Sequence, residues 1–165
     1  MANGNESVAD EVVITRFYGV PREVVFRAWS EAGALEKWYA PKGCTLKLKR
    51  FEFRVGGKFH SVIRTSTGFE CWCVGEYREI VAGEKIVYTL AIADQHGERI
   101  DPAAAGHDAV WPGETVVTVT FTRRGTGTEL RLHQTVSAAI AKKTGAYPGW
   151  MEMLEGLGVF VGADG

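Results

Sequence analysis

A change of hydrophobic period near residue 44 constrains this 165-residue chain more than any other feature. Residues 21–38 place apolar side chains at helical spacing, and Pro41 prevents a helix from continuing far beyond Trp38. After residue 44, apolar and polar residues alternate, as they do in a half-buried β-strand. The Gly56-Gly57 step suits a bend or bulge between two such strands. This order predicts a pair of short helices laid across the start of a curved antiparallel sheet.

The remainder of the chain continues the strand pattern and ends in a helix. Alternation predicts one strand before the helical pair, from Glu11 to Tyr18, and six strands after it. Near the C-terminus, apolar residues at i, i+3, i+4, i+7 and i+11 form one helical face, made of Trp150, Met153, Leu154, Leu157 and Val161. We therefore predict an α+β fold in which an antiparallel sheet of about seven strands wraps around a long C-terminal helix.

Two segments differ from this regular pattern. Residues 1–10 are small and polar, so we expect a disordered N-terminal tail before a single domain that spans residues 11–162. Residues 93–113 show no period, and a loop of this length inside a compact domain is often a lid or a binding loop. The terminal helix contains several glycines, each of which weakens a helix by up to ~1 kcal/mol relative to alanine. Packing must therefore hold this helix in place.

The composition excludes several classes of protein. A formal net charge of −1 provides no basic face, which binding to nucleic-acid phosphates requires. No apolar run reaches the ~20 residues that a membrane helix needs. Residues 1–7 have neither the cationic start nor the apolar stretch of a signal peptide. Three cysteines are an odd number, which argues against a disulfide framework. We expect a cytoplasmic protein that binds neither nucleic acid nor membrane.

The histidines do not indicate a catalytic or metal site. By alternation, His60 and His133 lie on the outer faces of their strands. His96 and His107 belong to the 93–113 loop, where their spacing from the aspartates matches no metal signature. We interpret these two as ordinary polar loop residues. The sequence therefore predicts no metal, no cofactor and no catalytic residue.

Cys71 and Cys73 lie two residues apart on one predicted strand and point to the same side of it. Residues at this spacing are ~6.5 Å apart, which is too far for a relaxed disulfide. Even with Cys44 included, a thiolate metal site would lack a fourth ligand. We interpret both cysteines as small buried residues on the concave side of the sheet, where a ligand could touch them.

Because a strongly twisted sheet cannot be filled completely by one helix, we expect a cavity between the two. The residues predicted to line it are mainly aromatic, aliphatic and sulfur-bearing, with a polar minority that is typical of ligand pockets. They are Trp38, Phe59, Ser61, Ile63, Cys71, Cys73, Tyr88, Leu90, Trp150, Met153 and Leu157. A filled core of the same residues is the alternative that residue type leaves open. A register slip of one residue would invert the faces of any strand.

Several motifs, taken together in order, resemble a known family. They are Pro21-x-x-Val24-Val25-Phe26-x-Ala28-Trp29, Trp38-x-x-Pro41, Arg54-x-Gly56-Gly57, Gly75-Glu76-Tyr77, Lys85-Ile86-Val87-Tyr88-Thr89 and Gly149-Trp150-x-x-x-Leu154-x-x-Leu157. The set resembles the homologues of the activator of heat-shock-protein-90 ATPase, within the START-like (SRPBCC) helix-grip superfamily. The resemblance covers nearly the whole chain after residue 10. It implies a helix-grip fold with an internal cavity and, for many members, no established activity.

The resemblance and the expected cavity favour a protein that binds a small apolar or aromatic molecule. Two alternatives stay open. The first is an enzyme of the cyclase or hydrolase type, whose nearest charged candidates are Arg54 and Glu76, although alternation turns Glu76 outward. The second is a chaperone cofactor that stimulates a heat-shock-protein-90 ATPase. A homodimer is compatible with all three hypotheses.

Overall fold

A computed structural model describes residues 10–164, so the predicted tail lies almost entirely outside the described residues. Within this range seven strands, four α-helices and one 3-10 helix follow one another. They are β1 (Glu11–Tyr18), α1 (Arg22–Ser30), α2 (Ala32–Trp38), β2 (Thr45–Phe51), β3 (Lys58–Arg64), β4 (Glu70–Val81), β5 (Lys85–Ile92), the 3-10 helix (Pro102–Ala105), β6 (Glu114–Arg124), β7 (Gly127–Ser137), α3 (Ala138–Thr144) and α4 (Ala146–Asp164). The predicted α+β fold, with seven strands, two short helices after the first strand and a long C-terminal helix, is confirmed.

The seven strands form one antiparallel sheet in the order β1-β7-β6-β5-β4-β3-β2. The edge strands β1 and β2 are consecutive in the chain, so their connection must cross the whole sheet. The helices α1 and α2 make this crossing and pack against α4 on the way. The Gly56-Gly57 step precedes β3, and Gly57 is required there because a Cβ would lie 2.1 Å from the Glu52 carbonyl oxygen.

The core lies between the sheet and the helices. The alternating residues Val117, Val119 and Phe121 of β6 are buried, as the strict alternation of that strand predicts. The α4 helix is anchored by the Tyr18 hydroxyl, which donates to the Leu154 carbonyl oxygen at 2.8 Å. At Gly158 a Cβ would lie 3.2 Å from the Tyr18 ring, so this glycine permits the close approach of helix and strand. Packing holds a helix whose glycines weaken it locally.

Two elements were not predicted. The α3 helix begins after Ser137, whose Oγ accepts a hydrogen bond from the Ile140 N–H at 3.1 Å, and ends at Gly145 in the left-handed region. The 93–113 segment was predicted to be irregular throughout, yet it contains the 3-10 helix. Among residues 10–164, no helix has the length and apolar character needed to cross a bilayer.

Candidate functional site

A cavity of about 430 Å³ lies between the sheet and the helices. Inward-facing side chains of β2 to β5 form one side, and residues of α1, α2 and α4 form the other. The loop over residues 106–111 and the turn between α3 and α4, at residues 144–146, also contribute to the wall. Both segments are irregular, so sequence patterns give little information about this part of the wall.

The structure places nine of the eleven residues of the predicted ligand site on the wall of this cavity. These are Phe59, Ser61, Ile63, Cys71, Cys73, Tyr88, Leu90, Trp150 and Met153. Trp38 and Leu157 lie off this wall. Trp38 is buried against α1, where its Nε1 donates to the Ala28 carbonyl oxygen at 2.9 Å. Leu157 follows Trp150 by two helical turns, or ~10 Å, and is fully buried beyond the end of the cavity.

Four aromatic residues, Trp29, Tyr39, Tyr88 and Trp150, form what we call the aromatic wall of the cavity. The Tyr39 and Tyr88 hydroxyls are hydrogen-bonded to each other at 2.8 Å. The Tyr39 ring meets Trp29 and Trp150 edge-on, with ring centroids 6.0 and 5.7 Å apart. Burial raises the pKa of both tyrosines, so the hydroxyl pair stays neutral near pH 7. Trp29 and Tyr39 were not predicted as lining residues.

A buried polar chain holds Trp150 in position. Its Nε1 donates to Gln134 Oε1 at 2.8 Å, and Gln134 Nε2 donates to Thr115 Oγ1 at 3.0 Å. Gln134 and Thr115 are both buried and on neighbouring strands. Gln134 lies on the same buried face of β7 as Leu130 and Leu132, so a polar residue at an inward position was the available sequence signal. The indole N–H of Trp29, by contrast, is buried without a partner within the described part of the chain.

Three residues, Cys71, Cys73 and His107, form a second group that we call the thiol cluster. All three line the cavity, and the two Sγ atoms are 3.9 Å apart, within reach of a sulfur hydrogen bond. The His107 ring packs edge-on against Phe69, with ring centroids 5.5 Å apart. His107 Nε2 is buried and has no hydrogen-bond partner among residues 10–164. The interpretation of His107 as an ordinary polar loop residue was therefore wrong, because the loop folds back onto the cavity.

The two thiols of the thiol cluster differ in acidity, and Cys71 is the more acidic. The hydrogen bond with Cys73, followed by the neighbouring His107, lowers the pKa of Cys71 to about 5. The same hydrogen bond, together with burial and the charge on Cys71, raises the pKa of Cys73, because two adjacent thiolates repel each other. Interaction with the Cys71 sulfur raises the pKa of His107. These shifts favour ionisation of Cys71 before Cys73 and retention of the proton on His107.

The other histidines and charged candidates lie off the cavity wall. On the outer face of the sheet, the His60 ring packs against the Trp72 ring with ring centroids 5.1 Å apart. His133 Nε2 lies 2.7 Å from a carboxylate oxygen of Glu11. The side chains of Arg54 and Glu76 are 69% and 39% exposed. No three His, Cys, Asp or Glu side chains within residues 10–164 converge in a way that could hold a metal ion.

The fold and the cavity together define the class of this protein. A seven-stranded antiparallel sheet around a long C-terminal helix, with a helical pair between the first two strands, is the START-like helix-grip architecture. The model of one family within it, described as "Activator of Hsp90 ATPase homolog 1-like protein", matches residues 19–162. The chain belongs to this family. A search of curated proteins found no match.

Solved structures of bacterial proteins are similar over nearly the whole chain. A protein of Chromobacterium violaceum is 28% identical with a TM-score of 0.77, and the match covers 93% of this chain and 97% of that one. A protein of Arthrobacter aurescens is 20% identical with a TM-score of 0.81, over 95% and 88% of the two chains. A protein of Silicibacter pomeroyi described as AHSA1 is 16% identical with a TM-score of 0.74, over 94% and 99%. The last two likenesses concern the fold alone.

Proposed function

We propose that this protein binds a small apolar or aromatic molecule in the cavity between the sheet and α4. The observation that carries the proposal is the cavity itself. Its volume of about 430 Å³ falls within the range of ~300–1,000 Å³ that is usual for small-molecule sites. Its wall is built mainly from aromatic and aliphatic side chains, with few polar groups, which is the usual composition of such sites.

The polar atoms of two lining residues indicate what the ligand carries besides its apolar body. Trp29 Nε1 and His107 Nε2 are both buried without a hydrogen-bond partner among residues 10–164. A buried donor without an acceptor costs ~1–3 kcal/mol, and a ligand that supplies the acceptor offsets that cost. We therefore expect the preferred ligand to be a ring or short chain with one or two acceptor oxygens, rather than a pure hydrocarbon.

The test is the thermal stability of the protein in the presence of neutral aromatic ketones and matched hydrocarbons. A ligand that binds only the native state at 100 times its Kd stabilises it by ~2.7 kcal/mol, which raises the unfolding temperature by several degrees. We expect ketones such as 4-phenylbutan-2-one to shift the transition more than butylbenzene does. No shift from either compound at saturating concentration would contradict the proposal.

A matched pair of variants locates the binding site. Ser61→Leu adds apolar volume to the inner face of β3, where Ser61 lines the cavity, and we expect it to reduce the ligand-induced shift. Thr118→Leu adds the same kind of side chain to the opposite face of the sheet, on β6, and should leave the shift unchanged. Equal losses in both variants would place the ligand elsewhere.

The description of the family names activation of a chaperone ATPase, which is a different kind of function. The variants Ser61→Leu and Thr118→Leu distinguish ligand binding in the cavity from activation of a chaperone ATPase. Stimulation of a heat-shock-protein-90 ATPase by this chain, unaffected by Ser61→Leu and without any ligand-induced shift, would assign the function to an outer surface and contradict the cavity proposal.

A further inference from the structure

The thiol cluster places a nucleophile, a proton donor and an apolar cavity side by side. Cys71, Cys73 and His107 all line the cavity, and the two sulfur atoms are 3.9 Å apart. His107 Nε2 is buried without a partner in the described part of the chain, and all three cysteines are free thiols rather than parts of disulfides. Reactive cysteines occur in such partly exposed sites beside a cationic group.

We propose that the cavity captures a soft electrophile, namely an apolar α,β-unsaturated carbonyl compound, as a covalent thioether on Cys71. This inference rests on the proposed function, because the cavity must first bind the apolar body of the compound. The aromatic wall would contact that body, while the conjugated double bond reaches the Cys71 sulfur.

The addition balances without any further reactant. The Cys71 thiolate donates an electron pair to the β-carbon and forms the C–S bond. The carbon–carbon π bond breaks, and its electrons move towards the carbonyl oxygen as an enolate. The His107 imidazolium then gives its proton to the enolate and becomes neutral imidazole. The net change is addition of one thiol across one double bond, with no oxidant or reductant.

Each member of the cluster has a distinct part in this step. Cys73 remains a neutral thiol and donates to the Cys71 sulfur, because the pKa of Cys73 is raised while the pKa of Cys71 is lowered. His107 holds the proton that the enolate takes, because the Cys71 sulfur raises the pKa of that imidazole. The third cysteine, Cys44, lies outside the cavity wall and serves as an internal comparison.

The experiment uses two probes that differ by one double bond. The enone 4-phenyl-3-buten-2-one is incubated with the whole reduced protein, and adducts are located by mass spectrometry of peptides. We expect one adduct per chain, on Cys71 before Cys44, which is absent in Cys71→Ser and unchanged in Cys44→Ser. The saturated analogue 4-phenylbutan-2-one reports reversible binding by thermal stability. Circular dichroism checks that Cys71→Ser is folded.

The pH dependence gives a signature that a merely accessible cysteine lacks. The rate at Cys71 is compared in the folded protein and in the urea-unfolded chain, where a thiol has an ordinary pKa of about 8.5. Thiolate fractions for a pKa near 5 and near 8.5 make the folded-to-unfolded rate ratio fall by about 200-fold between pH 6 and pH 9. We expect His107→Gln to flatten this fall and to slow the addition at pH 6.

The outcomes separate the two proposals. Stabilisation by the saturated ketone without a Cys71 adduct from the enone overturns covalent capture and leaves the binding function standing. An adduct on Cys71 without stabilisation by the saturated ketone supports a reactive thiol and contradicts reversible binding. Equal labelling of Cys71 and Cys44, or a rate ratio independent of pH, overturns covalent capture as well.

Discussion

The aromatic wall and the thiol cluster face the same cavity, yet they differ in the hydrogen-bond partners of their polar atoms. In the wall, the Tyr39 and Tyr88 hydroxyls pair with each other, and the indole N–H of Trp150 pairs with Gln134. In the thiol cluster, the sulfur atoms contact each other, and His107 Nε2 has no partner among the described residues. Within the described residues, three of the wall's four polar side chains are paired and Trp29 Nε1 is the exception, whereas the cluster leaves its imidazole nitrogen, His107 Nε2, without a partner.

This difference suggests that the wall contributes mainly to folding stability and the cluster mainly to reactivity. A satisfied and tightly packed group holds one shape and is costly to change, because each deletion leaves a cavity or an unpaired polar atom. A group with free polar atoms contributes less to the fold and is available to a ligand. We therefore expect substitutions in the wall to act mainly on the free energy of unfolding, and those in the cluster to act mainly on pH dependence and reactivity.

The largest effect is expected for Trp150→Ala, in the aromatic wall. Trp150 is buried, and its loss removes the edge-on contact with Tyr39 and leaves the Gln134 side-chain oxygen unpaired. Truncation of a buried tryptophan costs ~3–5 kcal/mol. Urea unfolding followed by circular dichroism measures this loss. Val159→Ala on the same helix is the control, since Val159 is 71% exposed and should change the free energy of unfolding by less than ~0.5 kcal/mol.

A somewhat smaller loss is expected for Gly75→Ala, which disturbs the strand beneath the aromatic residues. A Cβ at Gly75 would lie 2.0 Å from the Thr89 carbonyl oxygen and 2.3 Å from the Phe59 ring. Because the carbonyl belongs to the backbone, the strand itself must shift, and such overpacking costs about 3 kcal/mol. Gly33→Ala provides the contrast in the same unfolding assay. Gly33 lies in α2, where no atom of residues 10–164 lies within 4 Å of a Cβ, so alanine should stabilise the protein by up to ~1 kcal/mol. Similar losses in both variants would contradict the steric argument.

These two regions also differ in how far the sequence predicts them. Alternation assigns Phe59, Ser61 and Ile63 to one face of β3, and the structure agrees, because a strand with one buried face has its register fixed by hydrophobic burial. The same reasoning fails for Leu157, since a helical period assigns a face but not the length of the cavity beside it. Tyr39 was missed because it follows a helix end, where no period applies.

The sequence predicts less of the thiol cluster than of the aromatic wall. The period of β4 places Cys71 and Cys73 on one side, but His107 reaches them only through the path of the 93–113 segment. That path depends on contacts far apart in the chain, such as the packing of His107 on Phe69. The α3 helix is a different case, because its signals were local. Ser137 at the N-cap and Gly145 at the C-terminal end were sufficient to predict it.

An effect of about 2 kcal/mol is expected from the pH dependence of the thiol cluster. The folded pKa of Cys71 is lowered to about 5, so its contribution to stability is lost as pH falls through 5 and grows as pH rises towards the unfolded value near 8.5. The folded pKa of His107 is raised, so its contribution is complete below pH 6.5 and declines above it. The two slopes oppose each other from pH 6.5 up to the raised folded pKa of His107.

Wild-type protein should therefore gain stability over Cys71→Ser mainly between pH 5 and pH 6.5, at up to ~1.4 kcal/mol per pH unit. Urea unfolding of both proteins at four pH values across this interval measures the gain. With His107→Gln the gain relative to the corresponding double variant should continue above pH 6.5, because the opposing slope is absent. A constant difference between wild type and Cys71→Ser at all pH values would show that Cys71 is not ionised in the native state.

The smallest effect is expected for the hydroxyl pair of Tyr39 and Tyr88, which lie 2.8 Å apart, oxygen to oxygen. Either single change to phenylalanine leaves the other hydroxyl buried without its partner, whereas the double change removes both polar atoms and keeps the ring packing. We therefore expect each single variant to lose ~1–2 kcal/mol and the double variant to lose less than their sum, with a coupling of ~1 kcal/mol. Urea unfolding of the four proteins gives this coupling. Additive losses would mean that each hydroxyl finds another partner, such as water in the cavity, and the aromatic wall would then be no more self-contained than the thiol cluster.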